Sequence, residues 1–283
     1  MPLRAPAGFT LVELMAALVL SGLTAVMAFA LLGAVGAGSR TRAERAGLQA
    51  NLRAGAALVA EELRQSGADS IGGSDLVTIG PAGTVFRALR AFGVTCRIAV
   101  DTLDVRADSS TYAALRSPVP GRDSLLLYAG GDSLLPLDGW QPLPLLAPPR
   151  STVCPDGTPA YRWLTRLDSL TLVVRRFTQS EPVRTFEVEE IRLYPSGGVW
   201  ALGLQGVSGG GTIQPVAGPF APGGLALTFL TRSGLPAAVP GAAATVALAL
   251  RGVTHRELAV GPFGTPAAAV DSLTLRQVLR NVP

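Results

Sequence analysis

Glu13 makes the clearest chemical demand in this sequence. It precedes a run from Leu14 to Ser39 that carries no charge. A carboxylate at the edge of such a run is costly unless a cation meets it, so its chemistry is charge pairing. Other reactive side chains are few: Cys96, Cys154 and His255 are the only cysteines and histidine among 283 residues. Two Cys and one distant His do not make a zinc site, and a single His excludes an H-E-x-x-H site. All 24 basic residues are Arg, which excludes Walker A, Schiff-base and kinase-type lysines. Two acidic groups, Asp101/Asp104/Asp108 and Glu187/Glu189/Glu190, lack the spacing of a calcium loop and read as solvated strand edges. Arg175-Arg176 reads as a surface pair and His255 as a surface or satisfied polar residue. No catalytic residue, metal or cofactor is expected.

The element that must position Glu13 is a membrane helix. As a helix, Leu14 to Ser39 spans about 39 Å, longer than the hydrocarbon core of a bilayer. A cleaved secretory signal fits poorly, because the apolar run is too long and an acid sits near its start. A plain signal anchor fits the length but leaves Glu13 unexplained. Beyond Arg40 the pattern becomes amphipathic. Leu48, Leu52, Val59 and Leu63 lie along one helical face, and most charges fall elsewhere. Gly67 is expected to stop this helix.

The heptapeptide Gly8-Phe9-Thr10-Leu11-Val12-Glu13-Leu14 resembles the processing motif of type IV prepilins and pseudopilins. The resemblance implies a leader of residues 1–8 that prepilin peptidase cuts between Gly8 and Phe9, with N-methylation of the new Phe9 terminus. It assigns Glu13 an assembly role: the carboxylate pairs with the Phe9 amine of its own or a neighbouring subunit. Physically, pairing neutralises two charges that are otherwise costly near a bilayer. The charge count does not orient the helix, since Arg4 and the terminal amine face Arg40, Arg42 and Arg45 across it. The resemblance places the leader in the cytoplasm and the remainder in the periplasm, with the helix in the inner membrane.

From residue 73 onward the chain turns to short alternating runs bounded by Gly, Pro, Asp or Ser. Val94, Cys96, Ile98 and Val100 form one, with Thr95 and Arg97 opposite. Leu170–Val174, Leu225–Phe229 and Val246–Leu250 form others. Phe186 and Val188 alternate with Glu187 and Glu189, but Ile191 and Leu193 fall on the other phase, which predicts a bulge near Glu190. Pro136–Pro149, Pro215–Pro222 and Gly209–Gly211 read as loops. The expected fold is α+β, a pilin-like lollipop. It comprises leader 1–8, transmembrane helix half 9–39, amphipathic half and linker 40–72, and a β-rich head 73–283. The long head and the terminal Leu279–Asn281 resemble the PilW-type minor pilins and the J-type minor pseudopilins of type II secretion. In an oxidising envelope compartment Cys96 and Cys154 are expected to pair, two separate buried thiols being the alternative.

Gly131-Asp132-Ser133-Leu134 spells a serine-esterase motif, but that family needs a His three residues after an Asp, and Gly252 stands three before His255. Asp-Ser-Leu also recurs at Asp123, Asp168 and Asp271, which reads as a turn leading into a strand. The expected function is therefore structural: a subunit that helps initiate or cap a type IV pilus or secretion pseudopilus. A binding module at the filament tip is the alternative. Expected partners are prepilin peptidase, other minor and major pilins or pseudopilins, inner-membrane lipid and assembly-platform proteins. Nucleic acid is not expected, given a net charge of only +4 at low charge density. The remainder stays apolar and charge-poor when the anchor is set aside, which suits a subunit with surface buried against neighbours.

Overall fold

The computed structural model describes residues 10–67, 74–129, 139–167, 180–259 and 266–280. It contains one long helix, α1 (Leu11–Arg64), followed by β-structure. The strands are β1 (Leu76–Gly80), β2 (Gly83–Ile98), β3 (Thr102–Arg106), β4 (Ala113–Ala114), β5 (Asp123–Ala129), β6 (Gly139–Pro144) and β7 (Arg150–Val153). They continue with β8 (Pro159–Leu164), β9 (Pro182–Ser196), β10 (Val199–Gly206), β11 (Gln214–Leu230), β12 (Thr245–Ala259) and β13 (Pro266–Val278). The class is α+β, as the sequence predicts. The described strands form one hydrogen-bonded array whose main path runs β13-β12-β11-β10-β9-β2-β3-β8-β7.

The chain divides into two compact units, residues 1–47 with 254–269, and residues 48–253 with 270–283. In the first unit, the helix residues from Leu11 to Val35 leave every large apolar side chain exposed, from 51% at Leu23 to 76% at Phe29. By length and composition this helix can cross a membrane. The same unit holds the distal part of the β12–β13 hairpin, where Arg256 Nε lies 4.0 Å from Glu44.

The second unit buries what the first leaves bare. Leu48, Leu52, Val59 and Leu63 are 1–4% exposed, joined by Ala56, as the helical stripe predicts. Their partners are in-register rows of the sheet: Leu225 faces Leu250, Leu227 faces Leu248, and Phe229 faces Val246. These six residues share one apolar cluster with the helix stripe, Phe86, Ile191, Leu202 and Phe220. Burying the five helix residues stabilises the unit by roughly 10 kcal/mol as an upper figure. Helix and sheet meet closely at Gly252, where a Cβ would stand 2.6 Å from a Leu48 methyl and 3.2 Å from Leu52 Cγ. The helix ends at Arg64. Gly67 does not close it in a left-handed turn; it bridges Arg280 and donates its N–H to Asp75 Oδ2 at 2.7 Å.

A second apolar cluster, with Leu103, Val105, Leu125, Leu127, Trp163 and Val183, lies along β3, β5, β8 and the start of β9. Here β9 has two successive neighbours on one edge. β5 pairs with residues 183–187 and β10 with residues 189–196, while β2 runs along the other edge. Where one neighbour gives way to the next, the Val188 N–H donates to Ser208 Oγ and its carbonyl accepts from Val207 N–H.

Four readings change against this fold. The Pro-rich stretches include strands: β6 covers Gly139–Pro144 and β11 starts at Gln214. β9 keeps its register through Glu190; the irregularity lies on β2, where Leu89 faces Phe186 and Ala91 faces Thr185, leaving Arg90 as the extra residue. Thr95 is buried rather than outward, exchanging hydrogen bonds with the Glu181 backbone, and Val100 is 56% exposed beyond the end of β2. Asp123 does begin a strand, but Asp271 sits within β13. The 131–134 tetrapeptide with Ser133, the 170–174 run and Arg175-Arg176 lie outside the described residues.

Candidate functional site

Gly8 and Phe9 lie outside the described residues; the site is built from Thr10 onward. Thr10 stands just ahead of α1 and caps it. Its Oγ1 accepts the Glu13 N–H at 3.3 Å, and Glu13 Oε2 accepts both the Thr10 N–H (2.9 Å) and the Thr10 hydroxyl (3.0 Å). This is a reciprocal capping box, Thr at the cap and Glu three residues on. It matters more near lipid than in water, because an unsatisfied N–H at a helix start has no solvent to turn to. The acid in the first turn also complements the positive end of the helix dipole.

Further along, the polar side chains of the apolar run satisfy themselves on their own helix. Ser21 Oγ donates to the Ala17 carbonyl at 2.7 Å and Thr24 Oγ1 to the Ser21 carbonyl at 2.9 Å. Glu13 is thereby the one charged side chain between Thr10 and Ser39.

The sequence comparison decides how to read this arrangement. Residues 3–29 match the prokaryotic N-terminal methylation motif. That motif supports a type IV prepilin-like amino terminus. Comparison with curated proteins finds no match, and comparison with solved structures finds none either. The matched stretch ends within the exposed apolar part of α1, so it covers the capping box and the first part of the membrane-capable run but none of the sheet. For a prepilin-like chain the motif implies processing by prepilin peptidase and assembly with other pilins, and it marks a structural subunit. The apolar helix that follows suits membrane anchoring. Thr10 was missed when the spacing was read only for Glu13, although Thr-x-x-Glu before an apolar run is itself a helix-start signal.

The remaining candidates separate. Cys96 of β2 and Cys154, just after β7, form a disulfide across 58 residues, both 3% exposed. His255 is exposed on β12. Among the described residues, no group of three or more His, Cys, Asp or Glu could hold a metal ion.

The acidic group at Glu187–Glu190 is the largest correction. Glu187 and Glu189 are 1% and 3% exposed and face inward, between the two apolar clusters. Glu187 accepts from Arg90 Nε (3.2 Å), Arg116 Nη2 (2.9 Å) and Arg122 Nε (2.5 Å). Arg116 also grips buried Asp123 with two bonds of 2.6 Å, and Arg90 Nη2 bonds Glu189. The bulge that leaves Arg90 unpaired in the ladder frees it to join these acids. Burial pushes the Glu187 carboxyl up, but hydrogen bonds from Arg122, Arg116 and Arg90 outweigh it and hold it below its ordinary value. Burial instead wins at Glu189, raised despite Arg90, and at half-buried Glu62 on α1. Asp104, also expected in solvent, is 1% exposed under Arg162. The Arg90 and Arg116 ion pairs tie β2, β5 and β9 together.

Proposed function

We propose that the chain is a minor pilin or pseudopilin that helps initiate or cap a filament. The observation that carries this is the methylation motif leading directly into a capped helix whose first part is bare and apolar. In this reading residues 1–8 are a cytoplasmic leader, 9–39 hold the subunit in the inner membrane, 40–72 connect, and 73–283 form a periplasmic head. Prepilin peptidase cuts between Gly8 and Phe9. The freed, methylated amine of Phe9 then stands next to Thr10, four residues before Glu13, and competes for the carboxylate that caps the helix. A neighbouring subunit's amine can compete in the same way, which would set the stagger between subunits. The large, charge-poor head supports a specialised subunit rather than the repeating one, because its surface is suited to unlike neighbours.

Mass spectrometry of the mature protein tests this: the expected chain begins at N-methyl-Phe9, and an intact Met1 terminus overturns the reading. Gly8→Ala is expected to block or slow processing. Glu13→Ala is expected to leave processing largely intact and reduce incorporation into filaments; unchanged incorporation contradicts the pairing. Co-purifying prepilins distinguish a pilus from a secretion pseudopilus.

A further inference from the structure

Four strands place four charged residues side by side. Arg97 of β2 faces Asp104 of β3, Asp104 faces Arg162 of β8, and Arg162 faces Arg150 of β7. Directly opposed residues share a face of the sheet. Along β3 and β8 this face alternates with the one carrying Leu103, Val105 and Trp163, so it points away from the second apolar cluster.

The row is unbalanced. Asp104 is satisfied by Arg162, through Nε at 2.7 Å and Nη2 at 2.9 Å. The Arg97 and Arg150 side chains are exposed and make no hydrogen bond or ion pair with any described residue. Arg150 and Arg162 are directly opposed, and of the two only Arg162 has a carboxylate partner. Both line a groove of about 280 Å³ that Ser151 and Thr152 also line. Its other wall is apolar, with Pro148 and Leu164. Leu164 is 40% exposed, and its carbonyl accepts the N–H of Leu146, itself 47% exposed.

We propose that this groove binds a carboxylate side chain on an acidic, partly apolar segment of a partner protein. The facing guanidinium groups supply forked donors that match a carboxylate, and Arg162 Nη1 is not used by Asp104. The apolar wall favours a peptide over a nucleic-acid backbone, which takes its contacts from cations and polar donors. β7 is the last strand of the main path, so its outer edge is open to an extended segment among the described strands. The proposal goes beyond the filament reading and does not depend on how the amino terminus is processed.

The test titrates the full-length protein in detergent with three probes: the acetylated peptide Leu-Glu-Leu-Glu-Leu, its Leu-Gln-Leu-Gln-Leu analogue, and single-stranded oligothymidylate. The acidic peptide is expected to bind about tenfold or more tightly than the Gln analogue. Arg150→Glu is expected to abolish binding and Arg150→Ala to weaken it about tenfold. Arg97→Ala, in the same row but outside the groove, should change it by less than about twofold. Arg150 is exposed and unpaired, so Arg150→Ala should keep the wild-type thermal melt, which separates lost binding from lost folding. No peptide binding, equal binding of the Gln analogue, an equal loss in Arg97→Ala, or preference for oligothymidylate would each overturn the proposal.

Discussion

The two stretches of α1 use the same residue types to opposite ends. Between Leu11 and Val35 the leucines, valines and Phe29 are all more than half exposed, whereas Leu48, Leu52, Val59 and Leu63 are nearly inaccessible. The difference is one of pattern: apolar all round in the first stretch, apolar on a single stripe in the second. Composition already separates the two, since Leu14–Ser39 carries no charge and Arg40–Arg64 carries eight charged residues. Periodicity shows that the first stretch expects lipid on every side and the second expects a protein surface on one.

The sharpest way to break this comparison is to truncate on both sides of it. Leu52→Ala with Leu63→Ala is expected to destabilise the sheet unit by about 4–8 kcal/mol in thermal or urea unfolding, the sites being far enough apart to add. Next in size is Glu187→Ala, expected to cost about 3–5 kcal/mol by stranding three guanidinium groups around an emptied position. Gly252→Val should cost about 1–3 kcal/mol, because its side chain would drive into Leu48 and Leu52. A smaller effect is expected from acid. Hydrogen bonds from the Ser110 and Thr111 hydroxyls hold Asp108 at about 2, and those from Thr158, with Arg106, hold Asp156 at about 2. Carboxyls depressed from 3.8 in this way, with Glu187 depressed from 4.5, add stability above those ordinary values. That stability is lost as pH falls from about 4.5 towards about 2, so the melting temperature should drop across that window. Glu62 and Glu189 are raised and act in the opposite sense above that window, their burial penalty being relieved as pH falls towards about 4.5. The smallest effect belongs to Leu18→Ala in the bare stretch, expected to leave unfolding of the sheet unit within about 0.5 kcal/mol of wild type. A large loss there would mean that the first stretch also relies on protein contacts.

What could be read beforehand followed the same line. The helix stripe and the Leu225–Phe229 and Val246–Leu250 rows were legible because apolar side chains at period 3.6 or 2 have one physical interpretation. Glu187 and Glu189 were not, because alternation assumes that charge faces water, and here three arginines from elsewhere in the chain make the inward position tolerable. The bulge expected near Glu190 follows from that assumption, and the register needs no such slip once the acids are placed inside. Pro142, Pro144 and Pro215 looked like loop residues, yet they sit within β6 and β11. In the amino-terminal site, Glu13 stood out as an isolated charge, whereas Thr10 was hidden by its ordinariness.

The change of neighbours along β9 has a consequence for how the sheet region should come apart. Its two apolar clusters lie on either side of Glu187 and Glu189, and in the main path β2 and β9 run from one side to the other. Such a plan favours two cooperative blocks hinged on a shared pair of strands, with amides of β10–β12 and of β3–β8 exchanging with solvent as separate groups and those of β2 and β9 the slowest of all.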